Sequence, residues 1–104
     1  MDRLATILKT EVKKYAGSGR GANLRLFAML DDDSQIYAVN AVDYPTHKDT
    51  AGVVVLARIA HHKIVIEEDT TDKKLVDALL QQGLKREDIV LAYEGEAIPE
   101  TDFA

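Results

Sequence analysis

One stretch in the C-terminal half of the chain leaves little freedom in how it folds. Residues 63–66 are rich in β-branched side chains, and they lead through an acidic turn into an amphipathic segment that ends at Gly83. β-branched residues favour a strand, a side-chain oxygen of Asp69 or Thr71 can cap a helix, and glycine commonly ends one. A last apolar run at residues 89–93 predicts another strand. We therefore expect strand, helix and strand in succession.

The N-terminal segment predicts a second amphipathic helix. Its apolar residues recur every three or four positions over residues 2–16, which is the period of one helix face. They are Leu4, Ile7, Leu8, Val12 and Tyr15. Gly17 follows, and we expect the helix to stop there.

Between the two helices the pattern predicts four consecutive strands. They cover residues 23–30, 35–43, 53–60 and 63–67, and each is bounded by turn-forming residues or by a loop. The predicted order of elements is α-β-β-β-β-α-β. This order indicates an α+β fold, with a mostly antiparallel sheet of about five strands and two helices on one face. We interpret residues 1–104 as one domain in which residues 94–104 form an extended tail.

The predicted strands are apolar on both faces. A sheet covered on only one side alternates apolar and polar residues, and two short helices cannot cover both sides. We therefore predict that the second face contacts another protein molecule, through residues Phe27, Met29, Tyr37, Val39, Val54 and Leu56. The alternative is that the tail or the loop at residues 44–51 covers this face. The assignment also depends on strand register, since a one-residue slip exchanges the two faces.

Charge is unevenly distributed along the chain. The net charge is −5, yet residues 1–25 hold six of the 13 Lys and Arg and two of the 18 Asp and Glu. Basic clusters of this kind contact nucleic acids, and the candidate residues are Lys9, Lys13, Lys14, Arg20 and Arg25. A contact with an acidic protein surface and an ordinary solvated helix face are the alternatives. We favour the solvated face because the remainder of the chain is acidic and repels a duplex.

The sequence contains no recognisable catalytic set. It lacks Cys, a Ser/His/Asp arrangement with known context and a nucleotide-binding fingerprint. The glycine-rich residues 17–21 follow a helix and precede a strand, which is opposite to the order in a phosphate-binding loop. The acidic residues 67–69 stand where a helix begins, a position that favours negative charge. We therefore predict a protein that is not an enzyme and has no cofactor.

Two clusters have the residue types of a metal site but not its spacing. The three aspartates at residues 31–33 are adjacent, whereas the ligands of a calcium loop are separated by intervening residues and include a distant Glu. We therefore interpret these aspartates as a hairpin tip. His61 and His62 are adjacent and point in different directions, so a zinc site would require His47 from a separate loop. We interpret the histidine pair as a polar turn.

No segment has the properties of a signal peptide or a membrane span. Charged residues occupy the start of the chain, and the apolar run near residues 52–57 is far shorter than the roughly 20 residues that a spanning helix needs. We therefore expect a cytoplasmic protein without a membrane contact.

Several motifs resemble the XisI family, the element-excision controlling factors of cyanobacteria. Residues 83–93, Gly-Leu-Lys-Arg-Glu-Asp-Ile-Val-Leu-Ala-Tyr, are similar to the family's Gly-aliphatic-x-x-Glu-Asp-Ile-Val-Leu-x-Phe ending. The Lys-Ile-Val-Ile strand at residues 63–66 and the Asp-Thr-Thr step at residues 69–71 are similar to the family's entry into its helix. The resemblance covers nearly the whole chain. One difference is Glu-Gly-Glu at residues 94–96, where the family usually has His-Pro-Pro.

This resemblance implies a role beside a recombinase rather than catalysis. It indicates an accessory factor in the programmed excision of a DNA element, with strand exchange carried out by a separate site-specific recombinase. It also implies a possible protein partner of the XisH type, and it supplies no catalytic residue. Together with the doubly apolar strands, it leads us to expect a homodimer or higher homo-oligomer that acts through protein–protein contacts. A DNA-binding accessory protein that uses the basic N-terminal residues is the alternative.

Overall fold

A computed structural model describes residues 3–18, 24–43 and 51–98. The first element is helix α1, Arg3–Lys13. Of the predicted apolar stripe, Leu8 and Val12 are fully buried and the other members are partly buried against the core. The helix is shorter than the predicted residues 2–16 because residues 14–16 continue it as turns, in which each N–H bonds to the third residue before it.

The strands and the second helix follow in the predicted order. They are β1 (Gly17–Ser18), β2 (Leu24–Asp31), β3 (Ile36–Asp43), β4 (Gly52–Ala60), β5 (Lys63–Asp69), α2 (Leu75–Gln81) and β6 (Ile89–Leu91). Short 3-10 turns lie immediately before β6, at Arg86–Asp88, and immediately after it, at Ala92–Glu94. The α+β class and the α-β-β-β-β-α-β order of the main elements are confirmed. The two-residue strand β1 is an addition, since its residues were predicted as a connector.

All the strands form one sheet in which spatial order follows chain order, from β1 to β6. Neighbouring strands from β1 to β5 are antiparallel, whereas β5 and β6 are parallel. A parallel pair needs a crossover connection, and α2 provides it. The two helices pack on each other and α1 also packs on the middle strands, so both helices lie on one side of the sheet.

The two predicted turn clusters do form hairpin turns. Asp31 pairs with Ile36 across a four-residue turn, and the carboxylate of Asp31 accepts a hydrogen bond from the N–H of Ser34 at 3.1 Å. His61 and His62 form the two-residue turn between β4 and β5, with φ angles of 51° and 64°. Two positive φ angles are typical of the tight hairpin turn that matches strand twist. The histidines therefore have the turn role that we predicted.

Helix α2 begins at residue 75, where a buried carboxylate binds its first backbone N–H group. The side chain of Asp69 accepts a hydrogen bond from the N–H of Leu75 at 2.7 Å, and residues 70–74 form the turn between them. At the other end Gly83 has φ +91°, and the N–H of Leu84 bonds to the carbonyl oxygen of Leu79 at 3.3 Å. Leu84 is buried, so it packs back against the helix as a hydrophobic C-terminal contact.

One core fills the space between the helices and the sheet. Its buried members are Ala5, Leu8, Val12, Tyr37, Val39, Val55, Ala57, Ile64, Ile66, Leu75, Leu79, Leu84, Ile89 and Leu91. Every main strand except β2 contributes a buried residue to it, and β2 adds partly buried side chains. This core therefore lies on the helix-covered face of the sheet.

The observed register corrects two of the predicted interface residues. Tyr37 pairs with Leu30 and Val39 pairs with Ala28, so both lie on the helix-covered face and are fully buried. Their assignment to the second face was wrong because the four-residue turn pairs Asp31 with Ile36. That pairing places the odd-numbered residues of β3 beside the even-numbered residues of β2.

A β-bulge corrects a third residue. Val39 pairs with Val55 and Asn40 pairs with Val53, so Val54 is the extra residue on β4. Its side chain is partly buried and packs against the core, and its assignment to the second face was therefore wrong. The other three candidates, Phe27, Met29 and Leu56, do lie on the second face, because their strand partners are Asn40 and Ala38.

Candidate protein-binding face

The sheet surface opposite the helices is apolar and exposed over β2, β3 and the start of β4. We call this surface the open face. Four of its large apolar residues are prominently exposed, at 52% for Phe27, 50% for Met29, 38% for Ile36 and 38% for Val53. Neighbouring apolar side chains that protrude from one sheet surface are typical of an interaction site.

Uncharged residues fill the middle of the open face, and an ion pair lies at its border. Ala38 and Leu56 are cross-strand partners near its centre. The side-chain nitrogen of Asn40 lies 3.2 Å from the sulfur of Met29, so these two side chains are in contact. At the β5 border Arg58 forms an ion pair with Glu67, with 2.7 Å between Nε and Oε2. The open face therefore has an uncharged centre beside a charged border.

The chain covers the other half of the same sheet surface with its own C-terminal segment. Ala60, Val65 and Val90 are buried there, and the partly buried Ala92 and Ile98 pack on them. The alternative that the tail covers the second face therefore holds over β5 and β6. The described tail residues do not bury the large side chains of β2, which remain half exposed.

Side chains occupy the sheet edge formed by β6. The Arg86 guanidinium donates a hydrogen bond to the carbonyl oxygen of Ile89 at 2.6 Å, and the N–H of Leu91 donates to the Glu96 carboxylate at 2.8 Å. Arg86 and Glu96 also form an ion pair at 2.6 Å. The bond from the Leu91 N–H, with a further contribution from Arg86, holds the pKa of the Glu96 carboxyl below its usual range. These backbone groups are thus not available to another strand.

The opposite sheet edge differs. Strand β1 pairs with β2 at Arg25 and Leu26. Across residues 3–18, 24–43 and 51–98, no strand is paired with the outer edge of β2 from residue 27 to residue 31. An unpaired edge is a template for another strand. Phe27 and Met29 therefore belong both to the open face and to an unpaired edge.

The candidate nucleic-acid residues do not form one surface. Lys9, Lys13 and Lys14 line a shallow hollow along α1, on the helix side of the sheet. Lys9 is ion-paired with Asp32 at 2.9 Å, and Lys14 is ion-paired with Glu11 at 3.0 Å. Arg25 alternates with the core-facing residues of β2 and so points to the opposite side of the sheet. Arg20 lies outside the described residues.

One buried tyrosine connects the hairpin tip to α1. The Tyr37 hydroxyl donates a hydrogen bond to the Asp32 carboxylate at 3.1 Å, and Asp32 also accepts one from Lys9. Burial, with the nearby Asp32 charge, raises the pKa of Tyr37 to about 12. The bond from Lys9, with a further one from Tyr37, lowers the pKa of Asp32. These groups hold the hairpin tip and the helix together.

The acidic residues at the end of β5 are each bonded within the chain. Glu67 is paired with Arg58, and the side chain of Glu68 accepts a hydrogen bond from the N–H of Asp69. The Asp69 carboxylate is buried and bonds to Thr71 and Leu75. These carboxylates thus act in the local structure of the entry to α2. In the described part of the chain, no three His, Cys, Asp or Glu residues are grouped as metal ligands.

Sequence reasoning missed two residues of the open face, Ile36 and Val53. Neither was among the predicted interface residues, yet each is 38% exposed. A signal was present in β3, where Ile36 has the same parity as Ala38 and Asn40 while Tyr37 has the same parity as Val39. The row with the larger apolar side chains is the better candidate for the core, and an amide such as Asn40 is typical of an exposed face.

The fold and the site define a small α+β protein with helices on one side of its sheet and an apolar, partly open surface on the other. A family model described as XisI protein matches residues 1–104. The chain therefore belongs to the XisI family, as its motifs predicted. A search among curated proteins finds no match to it.

Two solved structures from Anabaena variabilis ATCC 29413 are similar in fold. A XisI-like protein shares 23% sequence identity, with 86% of this chain and 83% of that chain covered and a TM-score of 0.75. The fdxN element excision controlling factor XisI shares 24% identity, with 92% and 91% covered and a TM-score of 0.66. In both cases the likeness extends over most of each chain.

Neither helix in the described part of the chain has the length and apolar character needed to cross a membrane.

Proposed function

We propose that this protein is a non-enzymatic control factor for the excision of a DNA element, acting in the cytoplasm through protein–protein contacts. In this proposal a separate site-specific recombinase breaks and joins the DNA. Membership of the XisI family and the fold shared with an excision controlling factor support the role in excision. The observation that carries the mode of action is the open face, on which Phe27 and Met29 are about half exposed.

The chemistry of the open face favours a protein partner over a small ligand. Its apolar side chains stand on a single sheet surface rather than around a cavity, and its centre is uncharged. Interfaces gain most of their energy from apolar anchors at such an uncharged centre, with charged groups at the rim. Phe27 and Met29 provide the anchors, and the ion pair between Arg58 and Glu67 lies at the rim.

The first prediction concerns binding of an XisH-like protein from the same genome. Replacing Phe27 with Asp or Val53 with Asp is expected to weaken the complex at least tenfold. The added carboxylate would be desolvated in an apolar contact, and a cost of about 1.4 kcal/mol corresponds to tenfold in affinity. Titration calorimetry with both purified proteins measures the change.

The matched control places the same charge on the helix side of the molecule. Gln81 is exposed at the end of α2, so Gln81→Asp should bind the partner as the unmodified chain does. If the unmodified chain does not bind the XisH-like protein, or if all three variants bind equally well, contact through the open face is ruled out for this partner.

A second prediction concerns direct DNA contact. Because two of the three α1 lysines are ion-paired and Arg25 points to the other side of the sheet, we expect no tight complex with element-end DNA. Filter binding at low salt should retain little DNA. Retention that falls steeply with added salt and is reduced by Lys13→Ala would instead support the DNA-binding alternative.

A further inference from the structure

We propose that two copies of this chain pair through the outer edge of strand β2, antiparallel and with a two-fold axis at Met29. The inference rests on the proposed function for its biological use, because it names a second copy as one partner of the same protein surface. Its evidence is separate, and comes from the edges of the sheet and from the order of side chains along β2.

The two edges of the sheet differ in whether their backbone groups are bonded to other parts of the chain. At β6, Arg86 and Glu96 bond to backbone groups of Ile89 and Leu91, so another strand cannot pair there without breaking these bonds. At β2, β1 pairs with two residues, so the outer edge of residues 27–31, opposite β3, has no strand partner in the described part of the chain. Strand addition is therefore directed to the β2 edge.

The length and position of this segment fit a symmetric pair. Residues 27–31 are five residues with Met29 at their centre, so an antiparallel copy centred on Met29 uses the whole unpaired segment and does not displace β1. Met29 then faces Met29 of the second copy. On the other side of the sheet, Ala28 faces Leu30 of the second copy, and both residues are partly buried beside the core. At the two ends of the segment, Phe27 lies opposite Asp31 of the second copy, so the apolar pairs are the central ones.

The charges along β2 complement each other in this arrangement. Arg25 and Asp31 both lie on the same side of the sheet as Met29, since strand residues alternate. In the pair centred on Met29, Arg25 is the diagonal cross-strand neighbour of Asp31 in the second copy. Such neighbours are about 7–8 Å apart, within reach of an arginine. Two equivalent ion pairs would then flank the apolar stripe of Phe27 and Met29 from both copies.

This pairing joins the two open faces into one. The sheet would continue through the two β2 strands, and the apolar surface available to a further partner would double in length. The pairing segment is short, which is typical of a weak association. The second copy is therefore the partner of the edge, and the joined surface remains available to another protein.

Single cysteines test the geometry directly, because the chain contains no cysteine of its own. In Met29→Cys the two cysteines would face each other with Cα atoms about 4.5–5.5 Å apart, which lies within the range of a disulfide. Mild oxidation should therefore convert most of this variant to a covalent dimer on a non-reducing gel. The matched control is Val53→Cys, which is exposed on the same face but two strands away.

The control separates edge pairing from stacking of the open faces. In the proposed pair the two Val53 positions are about 24 Å apart, since five strand spacings of about 4.8 Å lie between them. We therefore expect little crosslinking of Val53→Cys. Equal crosslinking of both variants, or none of Met29→Cys, would overturn the proposal. Binding of the XisH-like protein is measured separately by calorimetry, so failure of edge pairing and failure of the proposed function are distinguishable.

A charge exchange provides a second measurement. Arg25→Glu should weaken self-association in sedimentation about fivefold, because it places like charges on the diagonal. Adding Asp31→Arg should restore it. Thermal unfolding of each variant shows whether the substitution also destabilises the single chain, for example through loss of the bond between Asp31 and Ser34. If the double variant dimerises no better than Arg25→Glu while remaining folded, this register is wrong.

Discussion

Replacing Asp69 with Ala is expected to lower the free energy of unfolding by about 3 kcal/mol. The Asp69 side chain is buried and accepts hydrogen bonds from the Thr71 hydroxyl at 2.6 Å, the Thr71 N–H at 2.9 Å and the Leu75 N–H at 2.7 Å. Alanine leaves the two backbone N–H groups without their acceptor, whereas the Thr71 hydroxyl can still donate to the Lys73 carbonyl oxygen at 2.9 Å. Each buried donor that stays unsatisfied costs roughly 1–3 kcal/mol. The expected sum exceeds that of an ordinary helix cap, which is about 1 kcal/mol.

The position of Asp69 explains why the effect extends beyond one helix end. It stands at the last residue of β5 and determines the first residue of α2. The Tyr15 hydroxyl, from the end of the α1 segment, donates to the carbonyl oxygen of Lys73 in the same turn. Loss of the carboxylate therefore loosens the turn on which α1, α2 and the sheet all converge.

Two further variants make this prediction specific. Asp69→Asn should cost about 2 kcal/mol, because one amide oxygen keeps the Thr71 bonds while the amide nitrogen faces the Leu75 N–H. Asp72→Ala, in an exposed position of the same turn, should change stability by less than about 0.5 kcal/mol. Urea unfolding measures the change in stability of all three variants. A shift of the urea midpoint, with an unchanged dependence of the unfolding free energy on urea concentration, gives the change in stability. Equal midpoints for Asp69→Ala and Asp72→Ala would show that the capping bonds do not stabilise the fold.

Stability is also expected to fall steeply at alkaline pH because of Tyr37. Its pKa is raised to about 12 in the folded chain, chiefly by burial and then by the hydrogen bond to Asp32. An unfolded tyrosine loses its proton near pH 10. The folded state therefore binds more protons than the unfolded state between pH 10 and 12. The contribution of Tyr37 is fully present below pH 10 and is lost as the pH approaches 12.

The expected loss is about 2 kcal/mol by pH 11.5, since each unit of pKa difference corresponds to about 1.4 kcal/mol and the folded tyrosine is by then partly ionised. The measurement is the urea midpoint between pH 8 and pH 11.5. Tyr37→Phe should lower the free energy of unfolding by about 1 kcal/mol at neutral pH, because the bond to Asp32 is lost. The stability of this variant should also fall less at alkaline pH. Tyr15 and Tyr93 also have raised pKa values, so some decline should remain in this variant. An unchanged decline in Tyr37→Phe would contradict the prediction.

Local chemistry was sufficient to predict the elements of this fold. The apolar period of residues 2–16 predicted α1, Gly83 marked the end of α2, and the histidine pair marked a hairpin turn. Each of these features depends on a side chain and on backbone groups a few residues away. The sequence contained all the information that such short-range contacts need.

The sequence was sufficient to predict that an apolar second surface exists, but not which residues form it. Strands that are apolar on both faces implied a second surface, and that surface exists over β2 to β4. Tyr37, Val39 and Val54 were assigned to it wrongly because the register of β3 and the bulge in β4 decide which way each side chain points. Both depend on pairing between strands, and a single residue of displacement reverses every assignment.

The sequence by itself determined the two helices, the main strands, their order and the family to which the chain belongs, because these follow from side chains acting on their own stretch of backbone. Only the tertiary structure decided which half of the outer sheet surface the C-terminal segment covers and which edge is occupied by Arg86 and Glu96. Those features arise when segments far apart in the chain pack together. Which apolar groups then remain exposed depends on the packing of the whole chain.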